Sequence, residues 1–182
     1  MNGTMASGVQ DSFRGEVKGF VLEELDDLGA VFLIGSLEAV LMEDAGQMVS
    51  NGVTPEMLDG SAAATVASAD MVAMALGHPP NNVDPEVEAA LAPLREELLE
   101  EAALADLADR ALGIVETSDR FRATGTKGEC ASEADFLALV AEVRERLGRA
   151  RLDFPGEWQL APVDAGVFSV TMYPGSDEDI RP

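Results

Sequence analysis

Cysteine and histidine are nearly missing from this sequence, which has one of each in 182 residues, Cys130 and His78. A lone cysteine cannot form a disulfide within the chain, and the lack of a cysteine framework is what a reducing compartment permits. Zinc is left without ligands, because neither residue lies within short ligand spacing of a second soft donor. A di-iron centre in a helical bundle needs Glu-x-x-His, and Ala75 stands three residues before His78. The expectation is therefore no cofactor and no metal centre.

Long apolar runs are also lacking. The longest, Gly29 to Met42, is interrupted by Glu38 and falls short of the roughly 20 residues that a membrane-spanning helix needs. The opening residues, Met1 to Gly8, have no basic cluster leading into an apolar stretch, so they do not read as a secretory signal. No membrane partner is expected. The chain should be cytoplasmic, or incorporated in a particle assembled in the cytoplasm.

Positive charge is the scarcest commodity. Twelve basic residues face 34 acidic ones, for a net charge of −22, and the only lysines are Lys18 and Lys127. Such an imbalance disfavours phosphate backbones and anionic lipid surfaces, so direct binding to a nucleic-acid backbone is not expected. Three explanations compete: a high-salt setting that screens the repulsion, a partner with a positive surface, or imitation of nucleic acid.

What is present is helical patterning. A chain of this length suits one domain that buries about two-thirds of its unfolded surface. Val17, Val21, Leu25, Leu28 and Phe32 recur at helical spacing, followed by Leu33, Leu37, Val40 and Leu41. They predict one long helix from Ser12 to about Gln47, or two broken near Gly29. Thr54-Pro55 supplies a cap and a first-turn proline for a second helix reaching about Leu76. Its middle, Ser61 to Ala69, holds almost nothing large, which predicts close approach by neighbouring elements.

Asp84-Pro85-Glu86 repeats the cap-plus-proline signal after the breaker cluster Gly77 to Asn82. The helix that starts there carries two apolar stripes. One is Val87, Leu91, Leu94 and Leu98; the other is Leu104, Leu107, Ala111 and Ile114. Pro93 should bend it. Ser118 to Glu129 lacks an apolar period and is expected to be a loop. A capping pattern at Ser132 to Asp135 opens a fourth helix, with Phe136, Val140, Val143 and Leu147 on one side and an end near Gly148. Trp158, Leu160, Phe168, Val170 and Met172 alternate with polar or small neighbours and predict a β-hairpin.

The expected architecture is mainly α: a bundle of about four helices with a C-terminal β-hairpin and extended termini. A flexible arm (1–11) precedes the helical domain (12–151), a hairpin extension (152–173) packs on that domain, and an acidic tail (174–182) ends the chain.

No catalytic motif is legible. Acidic runs at Glu23 to Asp27 and Asp177 to Asp179 do not match an EF-hand loop. Arg120 to Gly128 crowds glycine, threonine and lysine together, but Thr126 separates Gly125 from Lys127 and no strand precedes it, so it is not a P-loop. The one histidine sits in a Gly-His-Pro-Pro turn and reads as a turn residue rather than a catalytic base.

Eight of the twelve basic residues fall between Arg110 and Arg151, a stretch that also holds seven acids and is therefore near neutral. Helix physics offers a plain reading, since cations near a helix C-terminus gain a few tenths to about 1 kcal/mol. The sharper expectation is that Arg120, Arg122, Lys127, Arg144, Arg146, Arg149 and Arg151 bind a partner, pairing with carboxylates of other protein subunits or of another copy. Met42, Met48, Met57, Met71 and Met74 are either core or adaptable contact surface.

On this reading the chain is not an enzyme. It is a structural or adaptor subunit of a larger assembly, such as a viral particle or multi-subunit complex. The alternatives are an acidic nucleic-acid mimic, displaying Glu96, Glu97, Glu100, Glu101, Asp106 and Asp109 to a DNA-binding protein, and a carboxylate-dependent enzyme.

Overall fold

Val21 and Leu25 form the buried side of the first helix, α1 (Glu16–Leu28), in a computed structural model that describes residues 16–44, 61–101, 103–125 and 132–159. The helix stops at Gly29, whose φ of 61° is left-handed and whose N–H donates to the Leu25 carbonyl at 2.9 Å. Helix α2 (Ala30–Asp44) starts directly afterwards and buries Ala30, Leu33, Leu37, Val40 and Leu41. Of the two expectations for this stretch, the broken pair is the one observed.

Helix α3 (Ser61–Ala75) is the centre of the molecule. Every side chain from Thr65 through Leu76 is buried, and α1, α2, helix α6 (Leu104–Thr117), α7 (Asp119–Gly125) and α8 (Glu133–Asp153) all pack against it. Its alanines and serines make this possible, because a helix with short side chains on all faces lets several neighbours approach its backbone. It ends in a Schellman motif: Gly77 has φ 88°, its N–H donates to the Met74 carbonyl, and the His78 N–H donates to the Ala73 carbonyl. Met71 and Met74 are core residues here.

Asp84 caps α4 (Pro85–Leu91), accepting from the Glu86 N–H at 2.9 Å, with proline in the first turn. The bend expected at Pro93 is a full interruption. A 3₁₀ turn (Ala92–Leu94) separates α4 from α5 (Arg95–Glu100), and Ala103, at φ 62°, turns the chain again before α6. These breaks explain how two apolar stripes half a turn apart are both served: Val87, Leu91 and Leu98 are buried on one side of the turn, and Leu104, Leu107 and Ala111 on the other.

Two expectations are corrected. The stretch after Ser118 is helical from Asp119 to Gly125, nucleated by one buried anchor, Phe121, rather than by a repeating stripe. The last helix does not stop at Gly148 but runs to Asp153, carried by burial of Leu147 and Ala150. Its start is as expected, with the Ser132 hydroxyl accepting from the Asp135 N–H at 3.2 Å, and Phe136, Val140, Val143 and Leu147 are all buried.

The protein is mainly helical, and no strand occurs among the described residues. Of the expected hairpin extension (152–173), residues 152 and 153 belong to α8, residues 154–159 are irregular, and the remainder lies outside the described residues. The arm (1–11) and tail (174–182) also lie outside them.

Candidate functional site

The arginines singled out for docking are engaged within the chain. Arg120 pairs with Glu43 on α2, tying α7 to that helix. Arg122 pairs with Asp119 and Glu133 and donates to the Glu116 carbonyl at 3.1 Å. Arg144 bonds Asp109 at 2.9 Å and also pairs with Glu116, and the Asp109 carboxylate holds its guanidinium above the ordinary value. Arg146 pairs with Asp70, and Arg151 reaches Asp106 at 2.9 Å and Asp109 at 2.8 Å. Arg149 pairs with Glu145 one turn away on the same helix and is the most exposed of the six described arginines of the set. Lys127 lies outside the described residues. Only Arg151 is in the last turn of α8, so the helix dipole accounts for little of this pattern.

The Asp70–Arg146 pair is the most deeply placed. Both residues are about 5% exposed, with Asp70 in the central helix and Arg146 also donating to the His78 carbonyl at 3.2 Å. Burial pushes the Asp70 carboxyl up, and the guanidinium beside it opposes that push. The sequence reading missed this pair. The signal was an aspartate alone in an otherwise small and apolar stretch, which must find a cation if it is buried.

A second network fastens the segment after α8 to α6. Buried Asp106 accepts from the Trp158 N–H at 3.0 Å, the Trp158 indole N–H donates to Glu38 at 3.1 Å, and Arg110 donates to the Trp158 carbonyl at 3.0 Å. The strap lies flat because residue 156 is glycine. A Cβ there would sit 2.9 Å from the Ala103 Cβ and 3.3 Å from its Cα. Gly156→Ala is therefore expected to lift Trp158 off α6. As Trp158 is the only tryptophan, a red shift of the fluorescence emission reads the result; unchanged emission counts against the strap.

Lys18 clips α1 to the α4 cap, donating to Asp84 at 2.8 Å and also pairing with Glu86. Hydrogen bonds to Asp84 and Glu86 raise the Lys18 pKa, and the bond from Lys18 lowers that of Asp84. The raised lysine stabilises the fold below about pH 10.4 and loses that contribution as pH rises through its folded value. The lowered aspartate stabilises above about pH 3.9 and loses it as pH falls through its own. Lys18→Ala should thus cost at most about 1 kcal/mol, constant across the intervening range and shrinking at both ends, as thermal melts against wild type at each pH would show.

Asp70 and Asp84, one raised and one lowered, both line a cavity of about 20 Å³ beside Lys18. That is room for a single water, not for a substrate. His78 Nε2 lies 2.9 Å from Asp153, and His78 lines an open cavity of about 320 Å³ with Glu142, Glu145, Arg146 and Arg149. Among the described residues, no group of three or more His, Cys, Asp or Glu is placed to hold a metal ion, and no helix is long and apolar enough to cross a membrane.

The acids nominated for nucleic-acid mimicry divide in two. Asp106 is buried and Asp109 is engaged by Arg144 and Arg151, so neither is displayed. Glu96, Glu97, Glu100 and Glu101 are exposed around α5 and hold no ion pair with a cation among the described residues, and the same is true of Glu23, Asp26 and Asp27 on α1. Comparison of the chain with protein-family models, with curated proteins and with solved structures returned no match.

Proposed function

We propose that this chain is a non-enzymatic structural or adaptor subunit of a larger assembly, and that the partner subunit supplies the positive charge. The observation that supports this reading is the distribution of ion pairs. All six described arginines of the nominated set are committed to carboxylates of their own chain, whereas exposed acids on α1 and α5 are left without a counterion among the described residues. Docking those arginines on another copy would require exchanging pairs already made, and an exchange of equivalent exposed pairs gains little. A cationic protein surface instead relieves the self-repulsion of a chain at −22. Nucleic-acid mimicry is less well supported, since two of its six acids are withdrawn into the fold.

Zero-length carbodiimide cross-linking in native extract tests the proposal. Recurrent cross-links from carboxylates of α1 or α5 to lysines of one other protein are expected, in a species larger than the free chain. Only intrachain cross-links, with the chain migrating as a monomer at every salt concentration, would remove the proposal.

A further inference from the structure

We infer that the corner between α1 and α2 is a docking surface for a basic, amphipathic segment of another protein, an inference that rests on the preceding reading and gives it a location. Phe20, Leu28 and Val31 are 49%, 53% and 66% exposed, three of the six large apolar side chains left outside the core among the described residues. Phe20 meets Phe32 edge to face across the corner, with ring centroids 6.0 Å apart and an interplanar angle of 78°. Leu28 and Val31 flank Gly29 on either side. Clustered apolar exposure of this kind, rimmed by polar residues, marks interaction sites far more than scattered surface leucines do.

The surface is preformed. Gly29 is held in its left-handed turn, and Leu94 from the 3₁₀ turn abuts it, with Cδ2 3.6 Å from where a Cβ would stand. Binding here would not have to order the backbone first. Exposed acids border the corner along the chain, Glu23, Asp26 and Asp27 before it on α1 and Glu96 and Glu97 two and three residues after Leu94.

Charge selects among occupants. An anionic lipid surface or a nucleic acid would be repelled by the rim. A neutral apolar partner would strip water from these carboxylates and return no counterion. A second copy docking through the same corner would bring acids against the same acids. Apolar anchors for Leu28, Val31 and Phe20, together with lysine or arginine for the rim, satisfy both halves of the surface. The exposed Phe20 ring also suits such cations.

The test uses the full chain and two synthetic probes: a peptide of lysine and leucine at helical spacing, and one of equal charge with serine in place of leucine. Wild type is expected to bind the leucine peptide at least about tenfold more tightly, and Leu28→Glu/Val31→Glu should abolish that preference. Val31→Glu alone should reduce it, and Leu152→Glu, at an exposed leucine elsewhere, should leave it intact. A double variant that keeps the full preference overturns the site while leaving the preceding reading standing. Failure of wild type to bind either peptide overturns both. A drop in the thermal midpoint of the free double variant would mean that the chain covers this corner itself, and conversion of a wild-type dimer to monomer would mean that a second copy does; either result overturns the inference.

Discussion

Replacing Arg146 with methionine is expected to lower stability by about 3–5 kcal/mol, read as a fall in the urea midpoint with little change in slope. The magnitude follows from what is left behind rather than from what is removed. Asp70 is 4% exposed in the central helix, and without Arg146 its carboxylate stays buried with no guanidinium to pair with. The pH dependence gives a second readout. Burial already pushes this carboxyl up, and the variant removes the group that opposes the push, so the remaining carboxyl binds a proton more readily in the fold than in the unfolded chain. Stability lost at neutral pH should therefore return, relative to wild type, as pH falls through the raised value towards about 3.9. The double variant Asp70→Leu/Arg146→Met should lie much closer to wild type, because replacing both members of a buried pair with apolar residues is often neutral or stabilising. A single variant no less stable than the double one would show that the pair is not what the core depends on.

Local signals were legible at several boundaries where one residue decides the backbone. Gly29, the Asp84-Pro85 cap, Pro93 and Ser132 each sit at the boundary that their chemistry implies, because caps and breakers act over a few residues and need no tertiary context. Helix α7 was not legible for the opposite reason. Its single buried anchor, Phe121, gives no period, and its polar residues find partners far away, as Arg120 does in Glu43, 77 positions earlier. The extension of α8 past Gly148 is of the same kind. A glycine inside a helix costs about 1 kcal/mol, which burial of Leu147 and Ala150 offsets.

The candidate site shows that charge counting finds residues without finding their partners. The excess of arginine between Arg110 and Arg151 is real, but composition cannot say whether a guanidinium faces a partner or its own fold. Here Arg144 and Arg151 converge on Asp109, 35 and 42 residues away, and Arg146 reaches Asp70 across 76. Once those pairs are made, the electrostatic remainder of the described surface is acidic. The apolar corner at Leu28 and Val31 was hidden for a related reason: Leu28 fits the helical stripe, and only the break at Gly29 shows that it and Val31 stay outside the core.

Overpacking the central helix should be the other large effect. Ala69→Leu or Ala73→Leu is expected to cost about 1–3 kcal/mol, because neither position has an open side. Both are fully buried, their neighbours from Thr65 to Leu76 are buried, and α3 is gripped by α1, α2, α6, α7 and α8 at once. A helix buried on one face can swing a larger side chain towards solvent; one surrounded on every face must push a neighbour away or accept a strained rotamer. Ala63 and Ala64, near the start of the same helix, are only partly buried and make the control. Leucine at either of these should be nearly neutral, since propensity favours alanine only slightly and the side chain has somewhere to go. Thermal melts of the four variants decide the matter. If leucine is tolerated equally at Ala63, Ala64, Ala69 and Ala73, then α3 is not enclosed, and its run of small residues does not serve close packing.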